Sequence, residues 1–479
     1  MLVPWFTEAG WQPSTVPYLE GTLLFIVIIY LSETYLDYRQ HSKLHERTLP
    51  PKLAAAIAQV DEFNAAKKAA TPKKPTDEAA DTHDSATPED APLTLLAQTE
   101  AKFEKSRLYS LDKSTFGFIS DAIQELDSIV LLLAGYLPYV WSLSGRIVAA
   151  WGVSGEIPQS LVFVSLTMAK DLVFQLPFGL YSTFVIEARH GFNKQTLGLF
   201  LADKAKGTLV SIVVGFPLLS ALIFLVRWGG DNFVFYVWLL TVSFTLLMLT
   251  IYPVWIMPLF NTFTPLPAGP LRTRIEALAS QLAFPLTQLF VCDGSKRSSH
   301  SNAYMYGFFK SKRIVLFDTL LAQATDDEVV AILGHELGHW KLWHTIQGFV
   351  FQQVYVVAMF AVFGRCMHDT ALFTSFGFSP AEPLAVMIGL TLFSQTLWAP
   401  VDKALTFLLT LNTRRNEFQA DAFAVDLNLG DALQSGLTKI SLENLANMNP
   451  DELYSAYHYS HPPLVERLAA IGVRTKKMQ

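Results

Sequence analysis

Seven apolar stretches, each close to the roughly 20 residues that a helix needs to cross a bilayer, decide what this chain can become. They run near Val16–Leu36, Leu126–Leu143, Leu161–Ile186, Leu209–Val226, Phe233–Ile256, Ile346–Phe363 and Leu384–Leu411. Only 16% of the 479 residues are charged and 51% are hydrophobic, whereas a soluble protein carries about 25% charged residues. The expected fold is mainly α, a polytopic membrane protein. A net charge of -6 offers no basic surface for phosphates, which excludes nucleic acid as a partner. Two cysteines exclude a disulfide framework.

Orientation follows from the lysines and arginines. The N-terminal tail has none, and the loops after spans two, four and six carry only Arg146, Arg227 and Arg365. The loops after spans one, three and five hold 12, 4 and 8, and the C-terminal tail holds 7. That is 31 on one side against 3 on the other, the alternation that the positive-inside rule produces. The N-terminus is therefore expected to be lumenal and the C-terminus cytosolic. Cys292 and Cys366 fall on opposite sides. Lys170-Asp171 and Asp402-Lys403 lie inside spans, where charge is costly unless it faces protein or water.

Between the spans, Lys67–Pro92 is too poor in large apolar residues to fold and reads as a disordered insert. The segment Met257–Thr345 contains strand-like runs at Leu289–Cys292, His300–Tyr306 and Arg313–Asp318, with turn signals at Asp293-Gly294 and Gly307. The C-terminal tail reads as helices broken at Asn449-Pro450 and His461-Pro462-Pro463.

The chemistry concentrates in His335-Glu336-Leu337-Gly338-His339. Two histidines four apart on a helix stand one above the other, so both can reach one metal ion. The glutamate between them can take a proton from water at that metal. Thr325-Asp326-Asp327-Glu328 reads as a capping box, and Val329, Val330, Ile332, Leu333 and Leu337 supply an apolar face. His344 lies five residues past His339, faces away on a continued helix, and receives no role. A zinc site needs a third protein ligand and an open position. After the out-and-back hairpin of spans six and seven the chain reads Arg414-Arg415-Asn416-Glu417-Phe418-Gln419-Ala420-Asp421. Glu417 and Asp421 share a helix face. One of them can ligate zinc while the other accepts a hydrogen bond from a ligand histidine; two carboxylates beside two arginines also make an ordinary solvated helix end.

Several blocks together resemble the zinc-dependent, integral-membrane CaaX prenyl proteases of type 1. They are Phe103 to Tyr109, Phe184 to Glu187 leading to His190-Gly191-Phe192-Asn193, Asp293 to Tyr304, His335 to Trp340, Arg414 to Asp421, and His458 to Leu464. The resemblance covers nearly the whole chain apart from the insert, although Asn416 stands where the family pattern has an aromatic residue. It implies one zinc ion per chain held by His335, His339 and Glu417, with Glu336 as general base and Asp421 behind a ligand histidine. It further implies that His461 stabilises the tetrahedral intermediate and that Asn302 and Arg467 contact substrate, the Asn302 segment being an edge strand. For the fold it implies seven transmembrane helices forming a barrel around an intramembrane chamber, with a zinc-metallopeptidase domain containing a small β-sheet on the cytosolic side.

The expected segmentation is residues 1–66 for the tail, the first span and the start of loop one, and 67–92 for the insert. Residues 93–256 hold the rest of that loop and spans two to five. The metalloprotease loop with the histidine helix is 257–345, spans six and seven 346–411, and the cytosolic part with the third ligand 412–479. The expected function is removal of the C-terminal three residues from farnesylated or geranylgeranylated CaaX proteins, at the cytosolic face of a membrane whose lipid is itself a partner. Lys476-Lys477-Met478-Gln479 looks like a dilysine retrieval signal of the endoplasmic reticulum. Two alternatives stay open: a broader quality-control protease of membrane proteins, and a transporter or scaffold with an idle zinc site.

Overall fold

The computed structural model describes residues 16–70, 93–308, 311–381 and 383–478. In chain order the first helices are α1 (Tyr18–Leu44), α2 (Pro51–Ala70), α3 (Leu95–Leu133), α4 (Tyr136–Ala150), α5 (Glu156–Tyr181), α6 (Leu197–Trp228) and α7 (Phe233–Ile251). Then come β1 (Phe263–Pro265), α8 (Pro270–Gln281), β2 (Leu286–Cys292), β3 (Ala303–Phe308) and β4 (Ser311–Phe317). The remainder is helical: α9 (Asp318–Gln323), α10 (Asp326–Lys341), α11 (His344–Cys366), α12 (Thr370–Ser375), α13 (Val386–Phe393), α14 (Ala399–Asp426), α15 (Gly430–Glu443), α16 (Glu452–His458) and α17 (Leu464–Met478). π-helical turns follow α5, α7 and α13, at Ser182–Glu187, Tyr252–Ile256 and Ser394–Trp398.

These elements form two compact units. The first comprises Met1–Tyr38, Lys113–Asn261 and Thr345–Leu409, and the second Arg39–Asp112, Thr262–His344 and Thr410–Gln479.

The first unit carries the membrane signature. Among the described residues, five helical stretches are long and apolar enough to cross a bilayer: Tyr18–Leu44, Glu156–Glu187, Leu197–Trp228, Gly230–Leu259 and His344–Cys366. A sixth crossing results if α3 and α4, bent by 66° at their junction, count as one; Gly135 takes a φ of 66° at that corner. The seventh expected stretch, Leu384–Leu411, corresponds to α13, a π turn and α14. Between 6 and 17% of each span's most apolar window is buried, so Leu24, Val213, Phe224 and Leu247 present their side chains outward. In water that exposure would cost roughly 1.5–3 kcal/mol per large side chain, and in lipid it costs nothing. What this unit does bury is an aromatic-rich cluster including Trp141, Phe163, Phe363, Phe393 and Trp398. The charges expected inside spans are partnered: Lys170 bonds Asp127, Lys403 lies 2.5 Å from Glu33, and Asp402 accepts from the Tyr355 hydroxyl at 2.7 Å.

The second unit has a water-soluble protein's interior. Its sheet runs β1-β2-β4-β3, with β2 and β4 parallel and both outer pairs antiparallel. The expected strands appear with shifted bounds: β2 and β4 are longer, β3 starts three residues later than expected, and β3 is an edge as implied. Gly307 lies within β3, opposite Lys312, rather than in the turn. β1 carried no usable signal, being three residues that end in proline. Ile314 and Leu316 of β4 pack with Val329, Leu333 and Leu337 of α10 in one core. The capping box at Thr325 and Glu328 starts α10 as the sequence indicated, and the breaks at Asn449-Pro450 and His461-Pro462-Pro463 separate α15, α16 and α17. Of the expected insert, residues 67–70 end α2 and residues 71–92 lie outside the described residues. Cys292 and Cys366 form no disulfide bond.

Candidate metal centre

All the ligand candidates lie in the second unit. α10 carries His335 and His339 one turn apart, and α14 brings Glu417 against them. Gly338 permits that approach. A Cβ built on it would stand 3.1 Å from Phe423 Cδ1 and 3.3 Å from Ala420 Cα, so a side chain here would make α14 give way by a few tenths of an ångström. His335 Nε2 lies 3.2 Å from His339 Nε2. Glu417 presents one oxygen to each imidazole, Oε2 at 3.5 Å from His335 Nε2 and Oε1 at 3.3 Å from His339 Nε2.

These donors fit a metal ion. Tetrahedral zinc with bonds of about 2.0–2.1 Å sets its ligand atoms about 3.3 Å apart; the two Nε2 atoms, 3.2 Å apart, match that spacing, and Glu417 meets each imidazole with a different oxygen, at 3.5 and 3.3 Å. The group His335, His339 and Glu417 has its ligand atoms within 4.8 Å of one another. Glu417 Oε2 is buried and receives no well-directed hydrogen bond. It lies 2.7 Å from His461 Nδ1, a distance that gives attraction without the alignment of a bond. A buried anionic oxygen left in this state is costly unless a cation meets it.

Electrostatics agree. Burial opposes ionisation of Glu417, yet His335, His339 and His461 hold its carboxyl far below the usual carboxylate range. Burial likewise opposes the charged form of His335, but its contacts with Asp421 and Glu417 push its pKa up to about 9. Glu336 differs, because burial dominates and pushes its carboxyl above the usual range, although the neighbouring histidines pull the other way.

Behind His335 stands Asp421, its Oδ1 2.8 Å from His335 Nδ1. Arg467 grips the same carboxylate with two hydrogen bonds, Nε to Oδ2 at 2.8 Å and Nη2 to Oδ1 at 2.6 Å. Asp421 and Arg467 are 1% and 9% exposed, so this charged pair is removed from water. Arg467 and His461 also line a cavity of about 330 Å³ together with Leu53, Met448, Tyr459 and Leu464. Asn302 immediately precedes β3. Its side chain accepts from the Ala303 amide at 2.8 Å and its carbonyl from the Phe317 amide at 3.0 Å.

One expectation fails. His344 does not face away: its Nδ1 lies 3.0 Å from His339 Nδ1, and its Nε2 lies 3.0 Å from Gln419 Oε1. α10 ends at Lys341, and Trp343 takes a φ of 64°, so the chain turns back before α11 begins. Extrapolating a single helix past His339 therefore misplaced His344. Neither Gly nor Pro marks the break, and the only available signal was a third histidine close in sequence. Gln419 was legible solely as a neighbour of Glu417.

Comparison with known proteins gives a consistent result. A family model described as CAAX prenyl protease N-terminal, five membrane helices, matches residues 39–262, and that of peptidase family M48 matches residues 265–475. The chain is 46% identical to the CAAX prenyl protease 1 homolog of Arabidopsis thaliana, covering 96% of this chain and 99% of that protein. It is 40% identical to the Homo sapiens homolog, covering 97% of each, and 35% identical to CAAX prenyl protease 1 of Saccharomyces cerevisiae, covering 95% of each. The crystal structure of S. mikatae Ste24p superposes with a TM-score of 0.81 at 35% identity, covering 96% of this chain and 100% of that one.

Proposed function

The chain belongs to the CAAX prenyl protease 1 family within peptidase family M48, and from that premise we propose that it is a zinc metalloendopeptidase removing the last three residues of prenylated CaaX proteins. The observation that carries this reading is the convergence of His335, His339 and Glu417 around a helix that also bears Glu336. One zinc ion held by those three residues would supply Lewis acidity toward a peptide carbonyl and toward water.

The chain's own residues do the rest. Glu336 takes the proton of the attacking water and returns it to the leaving amine, a role that its raised pKa supports. His461, 2.7 Å from Glu417, is placed to donate toward the oxyanion that develops on the substrate. Asp421 keeps the His335 ring oriented, and Arg467 keeps Asp421 ionised. Asn302 leads into edge strand β3, where an extended substrate can pair backbone to backbone. Arg467, which also lines the 330 Å³ cavity, is the proposed substrate contact on that side.

In the membrane we assign seven crossings, the seventh through Leu384–Leu411, forming a barrel around a chamber. The distribution of 31 against 3 basic residues supports a lumenal N-terminus and a cytosolic active site. Placement in the endoplasmic reticulum follows the family. The six segments set out from the sequence, from 1–66 to 412–479, complete this reading.

The test compares a farnesylated CaaX peptide with its unlipidated twin on purified protein in lipid. Cleavage is expected of the prenylated peptide, and equal rates on both would remove the prenyl specificity. Glu336→Gln should lower kcat about 10²- to 10⁴-fold while zinc stays bound; unchanged cleavage with zinc bound would overturn the assignment of the base.

A further inference from the structure

His339 has two ring nitrogens, and only one faces His335 and Glu417. The other, Nδ1, meets His344 Nδ1 at 3.0 Å, and the far nitrogen of His344 meets Gln419 Oε1 at 3.0 Å. The two rings stand edge to face, with centroids 5.1 Å apart, and His344 is 8% exposed. Gln419 lies on α14 two residues beyond Glu417, so the ligand and the end of this chain of contacts share one helical segment.

Hydrogen-bond direction runs one way along these contacts. A glutamine carbonyl oxygen can only accept, so the proton of His344 must sit on Nε2. A neutral imidazole protonated at Nε2 has a bare Nδ1, which accepts. His339 Nδ1 must then donate, and His339 Nε2 is left with its lone pair directed at His335 and Glu417. With the Gln419 amide turned over, every direction reverses and a proton occupies the nitrogen that faces the donor group. The lone pair is available for a metal in the first arrangement only.

We propose that His344 and Gln419 are positioning residues that fix His339 in its metal-binding tautomer through this two-bond relay. The relay rests on the reading of His335, His339 and Glu417 as zinc ligands. It requires an acceptor at the Nδ1 position of residue 344, which in the histidine depends on Gln419 holding the proton on the far nitrogen; a residue that presents an oxygen at that position needs no second contact.

Zinc affinity of the purified full-length protein, measured by competition with a chromogenic chelator, tests it. His344→Leu removes the acceptor and should weaken zinc binding about 10- to 100-fold. His344→Asn, whose Oδ1 reproduces the Nδ1 acceptor, should recover affinity to within about threefold of wild type, and Gln419→Met should give an intermediate loss. A merely structural histidine would be hurt comparably by both His344 substitutions. Equal losses in His344→Leu and His344→Asn, or undiminished affinity in His344→Leu, would overturn the relay. If His344→Leu fails to fold, the Gln419→Met and His344→Asn pair decides alone: unchanged zinc affinity in Gln419→Met, or no retention in a folded His344→Asn, overturns the proposal. Wild-type protein that binds no zinc would overturn the ligand assignment and the relay together, whereas zinc-loaded wild type with indifferent variants would overturn the relay only.

Discussion

His335 and His339 stand one turn apart on one helix and face the same carboxylate, yet opposite kinds of chemistry hold them from behind. The support of His335 is ionic: Asp421 at 2.8 Å, itself gripped twice by Arg467. That of His339 is neutral, an imidazole and an amide in series. The charged support raises the basicity of its ring but involves two desolvated ions, so loss of either partner leaves the other stranded in the interior. A neutral support adds little field and little risk. Two histidines of one donor group can thus be oriented equally well while differing widely in what a mutation costs.

The largest effect is expected where the two sides meet. Glu417→Ala removes the one group that both imidazoles face, and zinc, near one per chain in wild type, should fall at least about 100-fold in affinity, beyond the usual loss for an outer partner. Elemental analysis of purified protein reads this directly, and full zinc content in the variant would contradict the site. Next comes the ionic side alone. Arg467→Met strands Asp421 and should destabilise the fold by about 3–5 kcal/mol. An apparent Tm equal to that of wild type would mean that the ionic and neutral supports do not differ as described.

The smallest expected effect sharpens the comparison by acting on both sides alike. Glu328 caps the helix that carries both histidines and contacts Lys439 at 2.7 Å and Ser435 at 2.6 Å. Burial pushes its carboxyl up, but Lys439, Ser435 and the Thr325 amide outweigh burial and hold it below the ordinary value. Its stabilisation is therefore fully present above about pH 4.3 and is lost as pH falls through the lower folded value. Glu328→Gln should cost about 1 kcal/mol near neutrality and flatten the acid side of the stability profile below pH 4.3. A pH titration of thermal stability checks this; an unaltered acid slope would remove Glu328 from the account.

Legibility in the sequence tracked locality. The helix of His335 and His339 could be read because its cap, its apolar face and its metal spacing all lie within 17 residues, Thr325 to Lys341. The shared face of Glu417 and Asp421 could be read as well, but helical spacing leaves open which of the two faces both imidazoles. That choice depends on Gly338 admitting Ala420 and Phe423, a fact of packing between distant segments. The clasp of Arg467 on Asp421 joins residues 46 apart and left no local trace. The apolar stretches were visible as lipid-facing surface, whereas the corner at Gly135 and the π turn at Ser394–Trp398 come from packing that hydropathy does not encode.

Trp343 carries a consequence of its own. Holding a bulky residue at a φ of 64° costs roughly 1–2 kcal/mol, and glycine would relieve that strain. Glycine would also loosen the corner that aims His344 at His339. Heat tolerance and the contact between His344 and His339 would then move in opposite directions at this one position.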